Sequence, residues 1–474
     1  MADAALWTIE ELVTATGGRL EGKPSSDVRG LSIDTRTLEP GDAFVAIRGD
    51  ARDGHDFATQ ALGAGAALAI VSRITDDMRR AGACLVVDEP LAALTRMAEA
   101  ARARSQAQIV AVTGSVGKTS TKEALRAALS TDGATHASAA SYNNHWGVPL
   151  SLARMPRDTA YGVFEIGMNH AGEITPLTRL VRPHVAIVTG IAESHLGHFN
   201  SLDGIADAKA EIFLGVEPDG AAIINAESPY FHRLTAAAEL AGVHHVFGFG
   251  ERADAEFQLV TARLRPECSC VTANILGDDV VYKIGAPGRH LVMNSLAVLG
   301  AVKLVGADLA RAALALAELS PPKGRGVRHA IALGKGHVTL IDESYNANPA
   351  SMRAALAVLA QTEPGFRGRR IAVLGDMLEL GRESGDLHAG LAPAIAASRV
   401  DLVFACGTDM ARLWDALPGE RRGAYAATSQ ALVEDLRGAL REGDVVMVKG
   451  SLGSKMGLIV EALKAMSAAH AEAS

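Results

Sequence analysis

Gly114-Ser-Val-Gly-Lys-Thr-Ser is the string in this chain best suited to holding a polyphosphate. It follows an apolar run at 109–113 that reads as a buried strand and precedes a helical run at 121–129. Gly114 and Gly117 let backbone N–H groups turn toward an anion, and the following helix adds its positive N-terminus. Lys118 can hold β- and γ-phosphates, and the Thr119 hydroxyl can ligate Mg²⁺. The common phosphate-loop pattern has four residues between its glycines, whereas this form is shorter. A glycine turn before a helix with a surface lysine is the plain alternative. The coincidence of strand, loop, Lys-Thr and helix decides for the phosphate site.

Other polar groups gather at strand ends. Glu165, in Phe164-Glu-Ile-Gly-Met-Asn-His, closes an apolar run at 161–166 and is placed to hold a metal that bridges nucleotide phosphates. His195 follows a similar run at 185–190. A lone histidine is more often structural, but a shared sheet edge with the phosphate loop favours the metal. Lys209 sits in a helical stretch with Ile205, Ala208, Ile212 and Phe213, and periodicity alone reads it as a surface lysine. Asp342-Glu-Ser-Tyr-Asn-Ala-Asn-Pro, Gly288-Arg-His-Leu-Val-Met-Asn and Lys449-Gly-Ser are too polar for core. Each reads equally as a strand-end turn or helix cap, or as a source of side chains for a cleft.

The elements that must position these groups are organised in three segments. The first, residues 1–88, opens with a helix near 8–16 and continues in short strands broken by Gly and Pro. The second, 89–320, begins with a helix at 90–104. It then alternates strands at 109–113, 161–166, 185–190 and 221–225 with helices, and closes with helices at 293–304 and 309–319. Such alternation predicts a mainly parallel sheet covered on both faces. Pro321-Pro322-Lys-Gly-Arg-Gly reads as a linker and hinge. Beyond it, 321–474 carries strands at 338–342, 371–375, 402–406 and 445–448, a second doubly wound unit.

Composition agrees: 474 residues, 48% of them hydrophobic with 48 glycines, suit an α/β chain of two or three cores. A net charge of −8 excludes a nonspecific nucleic-acid binder, which needs a basic face. Four scattered cysteines, Cys84, Cys268, Cys270 and Cys406, make no disulfide framework, so they are expected reduced. No leader is read at the start, and the apolar stretch at 61–71 reads as packed helix and strand, not a membrane span. A cytoplasmic protein without membrane insertion is expected.

Together these strings resemble the Mur ligase family along nearly the whole chain. The resemblance implies an α/β, three-domain architecture: a small N-terminal domain for a uridine nucleotide, a central P-loop parallel-sheet ATPase domain and a C-terminal Rossmann-like domain. It implies a monomeric ATP-dependent ligase of peptidoglycan precursor synthesis, joining UDP-N-acetylmuramoyl-tripeptide to D-alanyl-D-alanine through an acyl phosphate. By carry-over, Thr113, Gly114, Ser115, Val116, Gly117, Lys118 and Thr119 bind ATP phosphates. Thr119, Glu165 and His195 surround Mg²⁺, and Lys209 matches a lysine that becomes N-carboxylated and supports a second Mg²⁺. Lys118, Lys209 and His195 are thereby the catalytic candidates. Asn294, Arg325 and Asn346 match positions at the adenine and phosphate end of ATP. Ser32, Asp34, Thr35 and Arg36 resemble a uridine motif, while Asn143 and Asn144 match a stretch lining the muramoyl-peptide channel. Leu452 and Gly457 depart from the family pattern, so no substrate-carboxylate role is transferred to Leu452.

Two rivals are weighed. A sister ligase would add a single amino acid, to a muramoyl peptide or to folate. A nucleotide switch would hydrolyse ATP or GTP without ligation, but its switch segments and Asn-Lys-x-Asp motif are not found after the phosphate loop.

Overall fold

The computed structural model describes residues 5–49, 51–139, 141–199 and 201–473, and only the backbone over 468–473. Residues 1–4, read above for the absence of a leader, lie outside them.

Local signals set the first elements. Thr8 and Glu11 form a capping box at the start of helix Ile9–Thr16, and Gly17 ends it in the left-handed conformation. Pro90 opens helix Pro90–Arg104, with the Glu89 carboxylate accepting the N–H of Leu91. The N-terminal sheet has five strands in the order Arg19–Glu21, Cys84–Val86, Leu68–Val71, Asp42–Val45 and Gly30–Ser32. Only the first is antiparallel to its neighbour. Its core does not stop at residue 88. One buried cluster runs from Trp7 and Leu31 through Leu94 and Met97 to Leu150 and Phe164. Trp7 Nε1–H donates to Ala153 O at 2.9 Å across that seam.

The central sheet has nine strands. Its parallel part runs His245–Gly250, Ala221–Asn225, Val185–Val188, Gln108–Thr113, Tyr161–Glu165 and Thr135–Ala137. The expected strands are all present, but the sheet is longer than expected. Phe257–Leu264 joins it in parallel, and Ser269–Ile275 and Asp278–Ile284 extend it as an antiparallel meander. The hairpin turn Leu276-Gly277 takes positive φ at both residues, 51° and 88°, as a type I′ turn requires. Helices Lys118–Leu129 and Arg289–Leu304 pack over one buried face.

The C-terminal sheet has six strands: Val327–Leu333, Gly336–Glu343, Val445–Lys449, Arg370–Gly375, Leu402–Cys406 and Arg422–Ala426. All pairs are parallel except the first. The two outermost strands were not anticipated, because Val327–Leu333 and Arg422–Ala426 are half-exposed edges without a continuous apolar run. The linker is fastened to this sheet: Gly326 N–H donates to Asp342 O at 2.7 Å, and Gly324 O accepts from Tyr345 N–H at 3.1 Å. All four cysteines are free thiols. Among the described residues no helix is long and apolar enough to cross a membrane.

Candidate active site

Three parallel strands end side by side at one edge of the central sheet. Val112 lies opposite Glu165, and Thr113 opposite Val188. The loop leaving the middle strand is therefore flanked by whatever follows the other two, which is why chemistry collects there. Gly114 and Gly117 adopt φ of 145° and 82°. A Cβ on Gly114 would stand 2.0 Å from Thr189 Oγ1, and one on Gly117 2.4 Å from Asn294 Nδ2. Only glycine fits between these neighbours.

The loop is held from the Val188 side. Ser115 N–H donates to Gly190 O at 2.8 Å, and Ser115 Oγ–H to Ala192 O at 2.9 Å. Thr189 Oγ1–H donates to Val116 O at 2.5 Å. With its carbonyls engaged outward, the loop precedes a helix whose N-terminus no side chain caps. That leaves N–H groups for an anion. Lys118 folds back, its Nζ 2.6 Å from Gly114 O. From the Glu165 side, Thr119 Oγ1–H donates to Glu165 Oε2 at 2.8 Å, and Asn143 Nδ2–H to Glu165 Oε1 at 2.7 Å. Glu165 is 1% exposed.

Two buried lysines are disfavoured as cations. Burial pushes Lys118 below its usual range and the Arg325 charge lowers it further, while Glu165 acts in the opposite direction. Lys209 is pushed well down, by burial first and then by Lys118. It is 1% exposed, and among the described residues its ammonium has no hydrogen-bond or ion-pair partner. The surface reading from periodicity is thus corrected. Lys209 lies four residues after the buried Ile205 on helix Leu202–Ala210, on the packed face. A lysine at a core position was the signal available.

His195 leaves the Val188 strand as expected, but its ring turns toward the C-terminal unit, with Nδ1 2.5 Å from Glu379 Oε2. That hydrogen bond holds the Glu379 carboxyl below its usual range, against the opposing effect of burial. Arg325 stacks on Tyr345, 4.3 Å from the ring centroid, close enough for its charge to reach Lys118. The Asn346 side chain accepts from Ala347 N–H, while its backbone carbonyl accepts from Lys449 Nζ at 2.9 Å. Asn348, in the polar string read as a cap or a source of cleft side chains, does both: it caps helix Pro349–Gln361 and reaches the phosphate loop, donating to Ser115 O at 3.4 Å. Asn144 is used locally: its carbonyl accepts from Gly147 N–H at 2.9 Å at the start of helix Gly147–Ala153.

The N-terminal motif is self-held. Ser32 Oγ–H donates to Asp34 O at 2.9 Å, and Arg36 pairs with the Asp34 carboxylate, holding its pKa at about 2. Thr35 completes this turn. Beside it lies a cavity of about 640 Å³ lined by Arg29, Leu31, Thr37, Arg154 and Arg157 among others. That volume suits a small-molecule ligand, and the lining is of mixed charge, with Glu39, Asp42 and Asp158 beside the three arginines. None of the four motif residues lines it.

The donor set fits a magnesium ion in kind. Thr119 offers a hydroxyl and Glu165 a carboxylate, the hard oxygens this cation takes. Among the described residues no three His, Cys, Asp or Glu side chains converge as a ready metal cage. A cation at Thr119 and Glu165 needs the remaining ligands from phosphate, water or a modified side chain.

Comparison with known proteins gives a consistent picture. The chain matches the family models described as Mur ligase family, catalytic domain, over 27–125, Mur ligase middle domain over 112–302, and Mur ligase, glutamate ligase domain, over 328–452. It is 36% identical to the UDP-N-acetylmuramoyl-tripeptide–D-alanyl-D-alanine ligase of Escherichia coli over 96% of this chain and 98% of that protein. The same-named protein of Rickettsia prowazekii is 32% identical over 96% and 99%. Among solved structures, MurF from Acinetobacter baumannii superposes with a TM-score of 0.83 at 30% identity, covering 97% of this chain and 98% of that one.

Proposed function

This chain belongs to the Mur ligase family, and on that premise we infer that it is an ATP-dependent ligase adding D-alanyl-D-alanine to UDP-N-acetylmuramoyl-tripeptide. The observation that carries the reading is the meeting of two units at one strand edge. Asn348 and Arg325, from the C-terminal side, stand over the loop that presents Lys118 and Thr119. An acid group bound between them faces the γ-phosphate of a nucleotide on that loop.

On this reading residues 113–119 wrap the triphosphate. Lys118 offsets charge as the peptide carboxylate oxygen attacks the γ-phosphorus and the bond to ADP breaks. The dipeptide amine then attacks the acyl carbon, loses a proton, and phosphate departs with the C–O bond. Magnesium, when bound, neutralises the phosphate oxygens and polarises the reacting phosphoryl group. Thr119 and Glu165 are the side chains to hold it, with Asn143 orienting Glu165 from its other oxygen. His195 is assigned to the same end of the site. Lys209 is read as the carbamate position: burial disfavours its ammonium, and the free amine is the form that reacts with CO₂, giving R–NH–COO⁻ and a proton.

Asn294, packed against Gly117, and Arg325 are assigned to the nucleotide. Asn346 joins them through the turn it shares with Asn348. Ser32, Asp34, Thr35 and Arg36 are assigned to the uridine nucleotide, beside a cavity of small-molecule size. Domain limits are assigned at 1–88, 89–320 and 321–474, one sheet to each, with the core of the first continuing past residue 88, and the molecule is read as a cytoplasmic monomer.

The test is phosphate release with UDP-N-acetylmuramoyl-tripeptide, ATP and D-alanyl-D-alanine, each omitted in turn. Release should require all three, and single amino acids should not replace the dipeptide. Release from ATP alone at the full rate would replace this reading with that of a nucleotide hydrolase.

A further inference from the structure

His195 and Glu379 meet across the boundary between the central and C-terminal units, and their meeting is built into the backbone on both sides. Glu379 Oε2 lies 2.5 Å from His195 Nδ1, and Glu379 O accepts from Gly197 N–H at 2.8 Å. Beneath them two glycines touch: a Cβ on Gly381 would stand 2.9 Å from Gly197 Cα, and one on Gly197 3.1 Å from Gly381 N. Both His195 and Glu379 hold left-handed backbone, φ 57° and 65°. Such conformations are uncommon for residues with a Cβ, and persist where surroundings over-determine them. A casual surface ion pair carries neither the paired glycines nor the paired left-handed residues.

The contact has a chemical consequence for the ring. A carboxylate accepting a hydrogen bond from Nδ1–H keeps the neutral ring's proton on Nδ1 and leaves Nε2 as the lone-pair nitrogen. Among the described residues Nε2 has no hydrogen-bond partner. We propose that Glu379 is a positioning residue for the ligation: supplied by the C-terminal unit, it fixes the tautomer and angle of His195. Docking of that unit and readiness of His195 for a divalent cation are then one event. The site cannot be fully armed while the units stand apart, so ATP is protected from water until both are together. This rests on the assignment of His195 to the cation made above.

The experiment measures Mn²⁺ binding by electron paramagnetic resonance, with a non-hydrolysable ATP analogue present, alongside phosphate release from the complete mixture. In Glu379→Ala, Mn²⁺ affinity should fall about tenfold or more, as loss of a partner behind a ligating histidine does. Glu379→Gln, whose amide oxygen still accepts from Nδ1–H, should recover part of that loss. Melting temperature should move little, because the Glu379 side chain is 47% exposed and the Gly197 bond uses its backbone. Turnover should fall while KM for the tripeptide substrate stays put. Mn²⁺ affinity in Glu379→Ala equal to that of the parent overturns the proposal whatever the turnover. A parent protein that releases no phosphate from the complete mixture overturns the ligase reading and this inference together, so the two failures are distinguishable.

Discussion

Replacing Lys118 by alanine should lower phosphate release from the complete mixture by roughly 10³-fold, the scale on which loss of a charge-stabilising donor slows a transfer step, while the protein stays folded. The structure explains both halves. Lys118 is the cation nearest the turn that wraps the phosphates, and its own partner is a backbone carbonyl, not a carboxylate. Truncation therefore breaks no ion pair. Burial and Arg325 lower its pKa, so the folded state resists its charge. The sign is the reverse of a stabilising lysine. The penalty is full below the folded pKa and fades as pH rises toward the unfolded value, so alanine relieves it at neutral pH. A triphosphate reverses this balance by supplying the missing negative charge. Melting temperature of the free variant should equal or exceed that of the parent, whereas the rise on adding an ATP analogue should shrink. Turnover within a few-fold of the parent would remove Lys118 from the chemistry.

Lys209→Ala should lose activity by about 10²-fold or more and regain part of it when acetate or another short carboxylate is supplied. Lys209 is enclosed, repelled by Lys118 and, among the described residues, without an ion-pair partner, an arrangement that makes no sense for an ammonium. It does suit an amine converted to an anion. The carbamate would turn two unfavourable facts, burial without a partner and proximity to a cation, into an attraction. The parent enzyme stripped of CO₂ should lose activity reversibly, and mass spectrometry of gently handled protein should find 44 Da added at this lysine. A variant as active as the parent, or one that no carboxylate rescues, would end the carbamate assignment.

How much of this the sequence disclosed depends on how local each feature is. The phosphate loop and Glu165 were legible because strand, turn and helix follow one another within a short stretch. Their adjacency follows from parallel pairing, with Val112 opposite Glu165. Ser269–Ile275 alternates strictly between buried and half-buried positions, and Gly277 marks its hairpin, so the meander was available to a period-two reading. Strand–helix alternation in the rest of that segment points instead to a parallel sheet alone. Lys209 needed only the observation that it shares a face with Ile205. Glu379 and Asn348 were of another kind. Their contacts join residues 184 and 233 positions apart, and no periodicity encodes which loop meets which. The two glycines at 197 and 381 are intelligible only once the units are seen touching.

On this mechanism a carboxylate of the peptide substrate attacks the nucleotide held at residues 114–119 and passes through an acyl phosphate. This is tested most directly by labelling both oxygens of the tripeptide's terminal carboxylate with ¹⁸O and weighing the phosphate released during ligation. One labelled oxygen should appear in each phosphate, the other remaining in the new amide carbonyl. Unlabelled phosphate, with both heavy oxygens still on the peptide, would mean that water had attacked the nucleotide, and the account would be wrong.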